Sequence, residues 1–443
     1  MSGPEAIKCQ IEESGLARAN LPICLRSKLS KNGVLRLQRW SVSKDNVSMD
    51  NLDRLALRRA RMERAPAWLR GGFRPFFLGS ASWAIVAIVL WLGFLFHFGP
   101  VVSSDPLAWH RHEMLFGFVG AAIAGFSLTA VPNWTGRLPI AGTPLLLLFA
   151  MWLAGRILPL LAFVPEAITA WVDGGFYLVL ATLLAREIRL SSNRNWPVAL
   201  AIGAFGVAAT LDKAGTLGWI ADRDFGIRAA LALAAILIAL IGGRIVPSFT
   251  RNWLAKNDAR GPMPTQPGRF DKVLLLATLA VMLSYAAGNQ SAVLGWSLVC
   301  IGVLHFLRLL RWRGWRCIGD ALVVILHVGY AWLSVALVIL GLTFLRAVPA
   351  SAAAHALGAG AMATMILAVM TRASLGHTGR ELRADVYTKT AYLSITVAAA
   401  ARLMAAFAIG DVRIWWAVAG TAWVAAFGAF VLGYGPKLMS ARA

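Results

Sequence analysis

From Gly71 onward the chain is a succession of long apolar runs separated by short polar gaps. About 20 apolar residues cross the hydrocarbon of a bilayer. Twelve segments come near that length: 76–98, 113–131, 142–162, 165–186, 196–217, 226–248, 272–289, 291–309, 318–345, 351–373, 388–408 and 412–434. The pattern predicts an all-α polytopic integral membrane protein of about twelve transmembrane helices over residues 66–443. The least defined boundary lies within 272–309, where Gly288-Asn289-Gln290-Ser291 is the only break. Residues 1–65 are polar and lack the apolar core of a signal peptide. Leu52, Leu55 and Met62, interleaved with arginines, suit a basic helix on a membrane surface; a disordered tail is the other reading. Met49 and Met62 offer later translation starts.

Composition agrees with this pattern. Of the 443 residues, 58% are hydrophobic and 14% charged, against about 25% charged in soluble domains. The formal net charge is +22, but the basic residues are spread over gaps between apolar runs, which disfavours nucleic acid as a partner. They also alternate. Gaps beginning near 132, 186, 249, 310 and 374 carry Arg137, Arg189, Arg251, Arg311, Arg380 and their basic neighbours, and the intervening gaps carry few. Lys and Arg mark cytoplasmic loops, so twelve spans with both termini cytoplasmic put every basic gap on one side. Four cysteines, with no CxxC pair and none preceding a histidine, give neither a disulfide framework nor a covalent haem attachment signal.

The chemistry to look for is in the seven histidines. This topology puts His97, His110, His112 and His355 towards the outer side. His327 lies nine residues into its segment, about 14 Å deep. His305 and His377 fall towards the cytoplasmic side. Ionisable residues inside a membrane are kept mainly for function or pairing, and imidazole is the commonest metal ligand. His110 and His112 would point to opposite sides of an ideal helix but share a side in an extended approach to one. They supply two ligands to one metal, one each to two sites, or a hydrogen-bonded interfacial pair. Glu113, Gly117, Ala121 and Gly125 form a small-residue stripe for close helix approach, with Glu113 as a partner of an imidazole, of protons, or of Arg111 or Arg346. His355, Gly358, Met362 and Met365 share a face suited to haem or soft copper, although methionines at this spacing also serve as core filler. Tyr330 is one turn from His327. Arg156, Asp212, Lys213 and Arg244 also lie in or near apolar segments; Asp212 and Lys213 point apart and need separate partners. Arg137 and Arg244 near a membrane boundary are read either as snorkelling side chains or as partners of haem propionates.

These stretches carry a resemblance. Gly72-Phe73-Arg74-Pro75-Phe76-Phe77-Leu78, Trp109-His110-Arg111-His112-Glu113-Met114, Pro132-Asn133-Trp134-Thr135-Gly136-Arg137, Arg244-Ile245-Val246-Pro247-Ser248, His327-Val328-Gly329-Tyr330 and the run Val369 to Arg380 resemble the NnrS family of haem- and copper-containing membrane proteins linked to nitric oxide and denitrification. The resemblance covers about 71–435. It implies twelve helices, non-covalent haem b and copper in a bacterial inner membrane, and a role in nitric oxide handling or nitrosative-stress tolerance. Ligand roles carry to His110, His112, His327 and His355, and less directly to His377, which lies in a cytoplasmic gap. Arg111 departs from the small residue often found between the paired histidines. A transporter of a metal or metal-nitrosyl species is the alternative, and an assembly or signalling factor a weaker one; protein partners are unknown. Seven histidines leave too few for an oxidase-like haem pair plus a three-histidine copper site, so enzymatic turnover is left open.

Overall fold

The computed structural model describes Cys24–Leu29, Leu35–Trp40 and residues 49–441 apart from 101, 102, 162 and 259. The chain divides into two units, residues 1–60 and 61–443. In the first, strands β1 (Cys24–Leu29) and β2 (Leu35–Trp40) pair antiparallel. Helix α1 (Met49–Arg64) begins in it.

The second unit is helical. Its helices are α2 (Phe73–Leu95), α3 (Pro106–Thr135), α4 (Thr143–Ile157), α5 (Glu166–Leu190), α6 (Trp196–Thr216), α7 (Phe225–Lys256), α8 (Arg269–Ala286), α9 (Ala292–Leu310), α10 (Ala321–Phe344), α11 (Ala350–His377), α12 (Val386–Ala406) and α13 (Val412–Met439). Among the described residues ten helical stretches are long and apolar enough to cross a membrane; α8 and α12 fall outside that set. The protein is therefore a polytopic membrane protein. The break at Gly288 to Ser291 does separate two helices, α8 and α9, as the sequence indicated. Large apolar side chains such as Leu147, Leu200, Val273, Leu276, Val293 and Leu393 lie on the outside, the reverse of a water-soluble protein and the arrangement that lipid requires.

Polar gaps start the helices. Asp105, Ser291, Asp320, Asp385 and Asp411 each accept a hydrogen bond from a first-turn amide, satisfying donors that have no intrahelical partner. The last helix, α13, packs against α2: Trp423 Nε1 donates to the Ala84 carbonyl at 2.9 Å, and Arg74 Nη1 donates to the Leu438 carbonyl at 2.7 Å.

Among the described residues three helices contain π-helical turns, Glu113–Val119 in α3, Ile238–Gly242 in α7 and Ala356–Met362 in α11. A π-turn widens a helix and leaves a carbonyl without its usual amide. In hydrocarbon such a group needs another donor. In α3 the Phe116 carbonyl accepts from the Tyr177 hydroxyl, Gly117 from Trp152 Nε1 at 3.1 Å, and Phe118 from Ser80 Oγ at 2.9 Å. In α7 the Ala239 carbonyl accepts from Arg308 Nη1 at 2.9 Å. In α3 and α7 neighbouring helices thus donate to carbonyls of the widened turns.

Candidate histidine site

The Asp105 cap and Pro106 in the first turn start α3 ahead of the histidine pair. Two residues within a helix differ by about 200° in direction, so His110 and His112 leave on opposite sides. The Asp105 carboxylate that anchors this start is held below its ordinary pKa, first by the Ala108 amide and then by Arg223. The reading in which both histidines bind one metal from an extended approach is not met, because this segment is already helical.

His112 enters a buried ionic cluster. Its Nδ1 lies 2.6 Å from Asp212 Oδ2 of α6, and its Nε2 lies 2.6 Å from Asp173 Oδ2 of α5. Arg156 of α4 bridges Asp173 and Glu113, and Trp83 Nε1 of α2 donates to Glu113 Oε2 at 2.8 Å. His112, Asp173, Arg156 and Glu113 are between 0% and 2% exposed. An ionised carboxylate only accepts, so two of them flanking one ring require two donors. The arrangement therefore holds one proton more than a neutral imidazole with two carboxylates; drawn on the ring, His112 is an imidazolium. Neither ring nitrogen then has a lone pair for a metal. Glu113 pairs with Arg156, not with Arg111 or Arg346, and Asp212 finds its partner in His112. Gly117 is needed here, since a Cβ on it would come within 2.5 Å of Trp83 Nε1.

His110 faces a different place. Its ring stacks on Trp91 at 4.5 Å and 14°. It lines a cavity of about 590 Å³ together with His355, Arg402, Met114, Met362 and Tyr285. Ligand pockets span roughly 300–1,000 Å³. His355 Nδ1 lies 2.7 Å from the Ser351 carbonyl and its Nε2 lies 2.8 Å from Arg402 Nη2. The carbonyl fixes the proton on Nδ1, and the Nε2 lone pair accepts from the Arg402 guanidinium, which a metal ligated by Nε2 would have to displace. His110 Nδ1 is buried without a hydrogen-bond partner. Arg111 and Arg228 also reach the cavity wall, each paired with an aspartate, Asp224 and Asp222 respectively.

This donor set suits haem iron or a soft metal held by few protein ligands. It offers two imidazole nitrogens on facing helices, thioethers from Met114 and Met362, and guanidinium groups for carboxylates. It does not suit a closed multi-histidine copper centre: among the described residues no group of three or more His, Cys, Asp or Glu is arranged to hold a metal ion.

The other sequence candidates lie elsewhere. His327 Nε2 is 2.8 Å from Thr250 Oγ1, with Gly314 so close that a Cβ there would lie 2.5 Å from His327 Nδ1. His305 is held between Thr278 Oγ1 at 3.0 Å and the Tyr330 hydroxyl at 2.8 Å; Tyr330 thus serves His305, although it is one turn from His327. His377 packs its ring on Phe73 at 5.4 Å. None of these three lines the His110 and His355 cavity. Arg137 Nε donates to Glu187 at 2.5 Å and Arg244 is exposed, so the cavity's cations are Arg402, Arg228 and Arg111 instead. Sequence reasoning passed over Arg402. Its signal was present, a lone arginine within the apolar run 388–408.

Residues 67–442 match the protein family described as NnrS protein. None of the curated proteins matches the chain.

Proposed function

Because the chain belongs to the NnrS family, we propose that it is a haem- and copper-associated protein of the bacterial inner membrane that handles nitric oxide or counters nitrosative stress, with His110 and His355 as the metal-facing pair. The observation carrying this reading is that one membrane cavity receives the buried, unpartnered Nδ1 of His110 and the ring of His355, whose Nε2 is held only by Arg402. Haem iron or copper in that cavity would supply the affinity for nitric oxide. The chain's own contribution is positional. Ser351 orients the His355 ring, Trp91 holds the His110 ring flat, and Arg402 offers a cation to an acidic group. His112, which the resemblance also implies as a ligand, has a structural part in this proposal.

The test is metal analysis of detergent-purified protein from haem- and copper-replete cells. Haem is measured by its absorption spectrum and copper by mass spectrometry. His110→Ala and His355→Ala each lower haem or copper content by several-fold, whereas His327→Ala and His377→Ala leave it unchanged. Full loading in both His110→Ala and His355→Ala, or a colourless and copper-free parent, overturns the assignment.

A further inference from the structure

A second, smaller cavity adjoins the histidine cavity. Its volume is about 110 Å³, and it is walled by side chains of α2, α3, α6, α7 and α11, among them Phe77, Ala122, Ile123, Phe126, Ile241 and Met365. No charged residue reaches it, and Ser127 is the one polar side chain on its wall. Val119 and Met362 line both cavities. Each is the last residue of a π-helical turn, Glu113–Val119 and Ala356–Met362. The partition between the cavities therefore stands where two helices are locally widened.

A buried water needs two to four polar partners, whereas an apolar cavity of about 150 Å³ stays dry and takes up benzene or xenon. The small cavity has one polar side chain and a comparable volume. It is too small for an acyl chain of a dozen or more methylenes. We propose that it is a binding site for a small, uncharged, apolar molecule of the size of a diatomic gas. The occupant passes between Val119 and Met362 into the histidine cavity. The proposal rests on the functional reading above only for what happens in the larger cavity; occupancy of the smaller one needs no metal. A gas that dissolves in the bilayer would thus reach the histidines without crossing the polar surface. The ion-paired Arg111, Asp224 and Arg228 line the histidine cavity and do not line the smaller one.

Xenon is the probe. The full chain, purified in detergent and separately in lipid nanodiscs, is titrated with xenon, and the 129Xe chemical shift is followed. A saturable shift is expected in both preparations. Ala122→Phe, which fills the cavity, abolishes it while circular dichroism and metal content stay as in the parent. Where Ala122→Phe does not fold, Ile123→Phe provides the same filling from the next position. Val119→Trp, at the partition, slows nitric oxide association with the metal-loaded protein by about tenfold, and an unchanged association rate overturns the passage between the cavities. A non-saturable shift, or a saturable one that survives both filling variants, overturns the proposal. So does binding that appears only in detergent, which assigns the cavity to a lipid chain. A parent that emerges from haem- and copper-replete cells without metal overturns the histidine reading, and saturable xenon binding by that same protein leaves this one standing.

Discussion

Replacing Arg156 by methionine tests the buried ionic cluster at its centre. The side chain is 0% exposed and joins Glu113, also 0% exposed, to Asp173, 2% exposed. Solvent screening is therefore slight, and the discount that applies to surface pairs does not apply. Methionine keeps much of the volume and removes the charge. Asp173 keeps the His112 imidazolium, whereas Glu113 keeps Trp83 as a donor but loses its cation. Removing one member of a buried pair destabilises by about 3–5 kcal/mol, because an uncompensated charge stays in a low-dielectric interior. At 1.4 kcal/mol per factor of ten, the folded-to-unfolded ratio falls by about two to three and a half orders of magnitude. The assay is reversible unfolding of purified protein in mixed detergent micelles, read by tryptophan fluorescence and run as a double-mutant cycle. Glu113→Gln in the Arg156→Met background should restore part of the loss, since the second change removes the charge that the first stranded; a coupling of about 1–3 kcal/mol is expected for neighbours of this kind. Stability of Arg156→Met within about 0.5 kcal/mol of the parent, or strictly additive effects in the cycle, would refute an obligatory charge network.

Two further outcomes follow from local geometry. Asp105→Ala removes the cap of α3 and costs about 0.5–2 kcal/mol; since the folded carboxyl sits below its ordinary pKa, its contribution is present at neutral pH and fades as acid protonates it, so parent and variant should converge in stability in low-pH melts. Gly120→Leu places a Cβ 1.7 Å from the Tyr177 hydroxyl, which must then abandon the Phe116 carbonyl; yield of folded protein in fluorescence-detected size exclusion should drop sharply, and Gly428→Leu, where nothing lies within 4 Å of the added Cβ, serves as the tolerated control.

Hydropathy reveals membrane helices because it reports the solvent, and lipid exposes apolar residues that water would not. It found the break at Gly288 to Ser291 from four polar residues alone. It misplaced the start of α3, given as 113 and observed at Pro106, because Trp109-His110-Arg111-His112 reads as polar while Asp105 and Pro106 already supply a helix start. That error of two turns decided the fate of the histidine pair. With the helix begun early, the 3.6-residue period sends His112 to Asp173 and Asp212 and His110 to Trp91. Both aspartates are 61 residues or more away from His112. No spacing rule in one sequence reaches partners at that separation, although the unexplained intramembrane charges Arg156 and Asp212 showed that some partner had to exist. Arg402, an arginine inside the apolar run 388–408, carries the same signal.

The charge cluster and the two cavities share a cause in the π-turns. A regular α-helix through Glu113–Val119 would direct its carbonyls along its own axis, and Tyr177, Trp152 and Ser80 would lose the acceptors that tie α5, α4 and α2 to α3. The extra residue in the turn also changes which side chains follow His110 round the helix, and brings Met114, Leu115, Phe118 and Val119 to the cavity wall together. On the facing helix the turn Ala356–Met362 does the same for Gly358, Ala359 and Met362. A cavity between two well-packed straight helices would tend to close, since voids forfeit dispersion contacts. Here the widened turns keep the helices from nesting, and Arg156 with its carboxylates holds α3, α4 and α5 in register on the opposite face. The rigid, charged side of α3 is therefore what allows its apolar side to stay open.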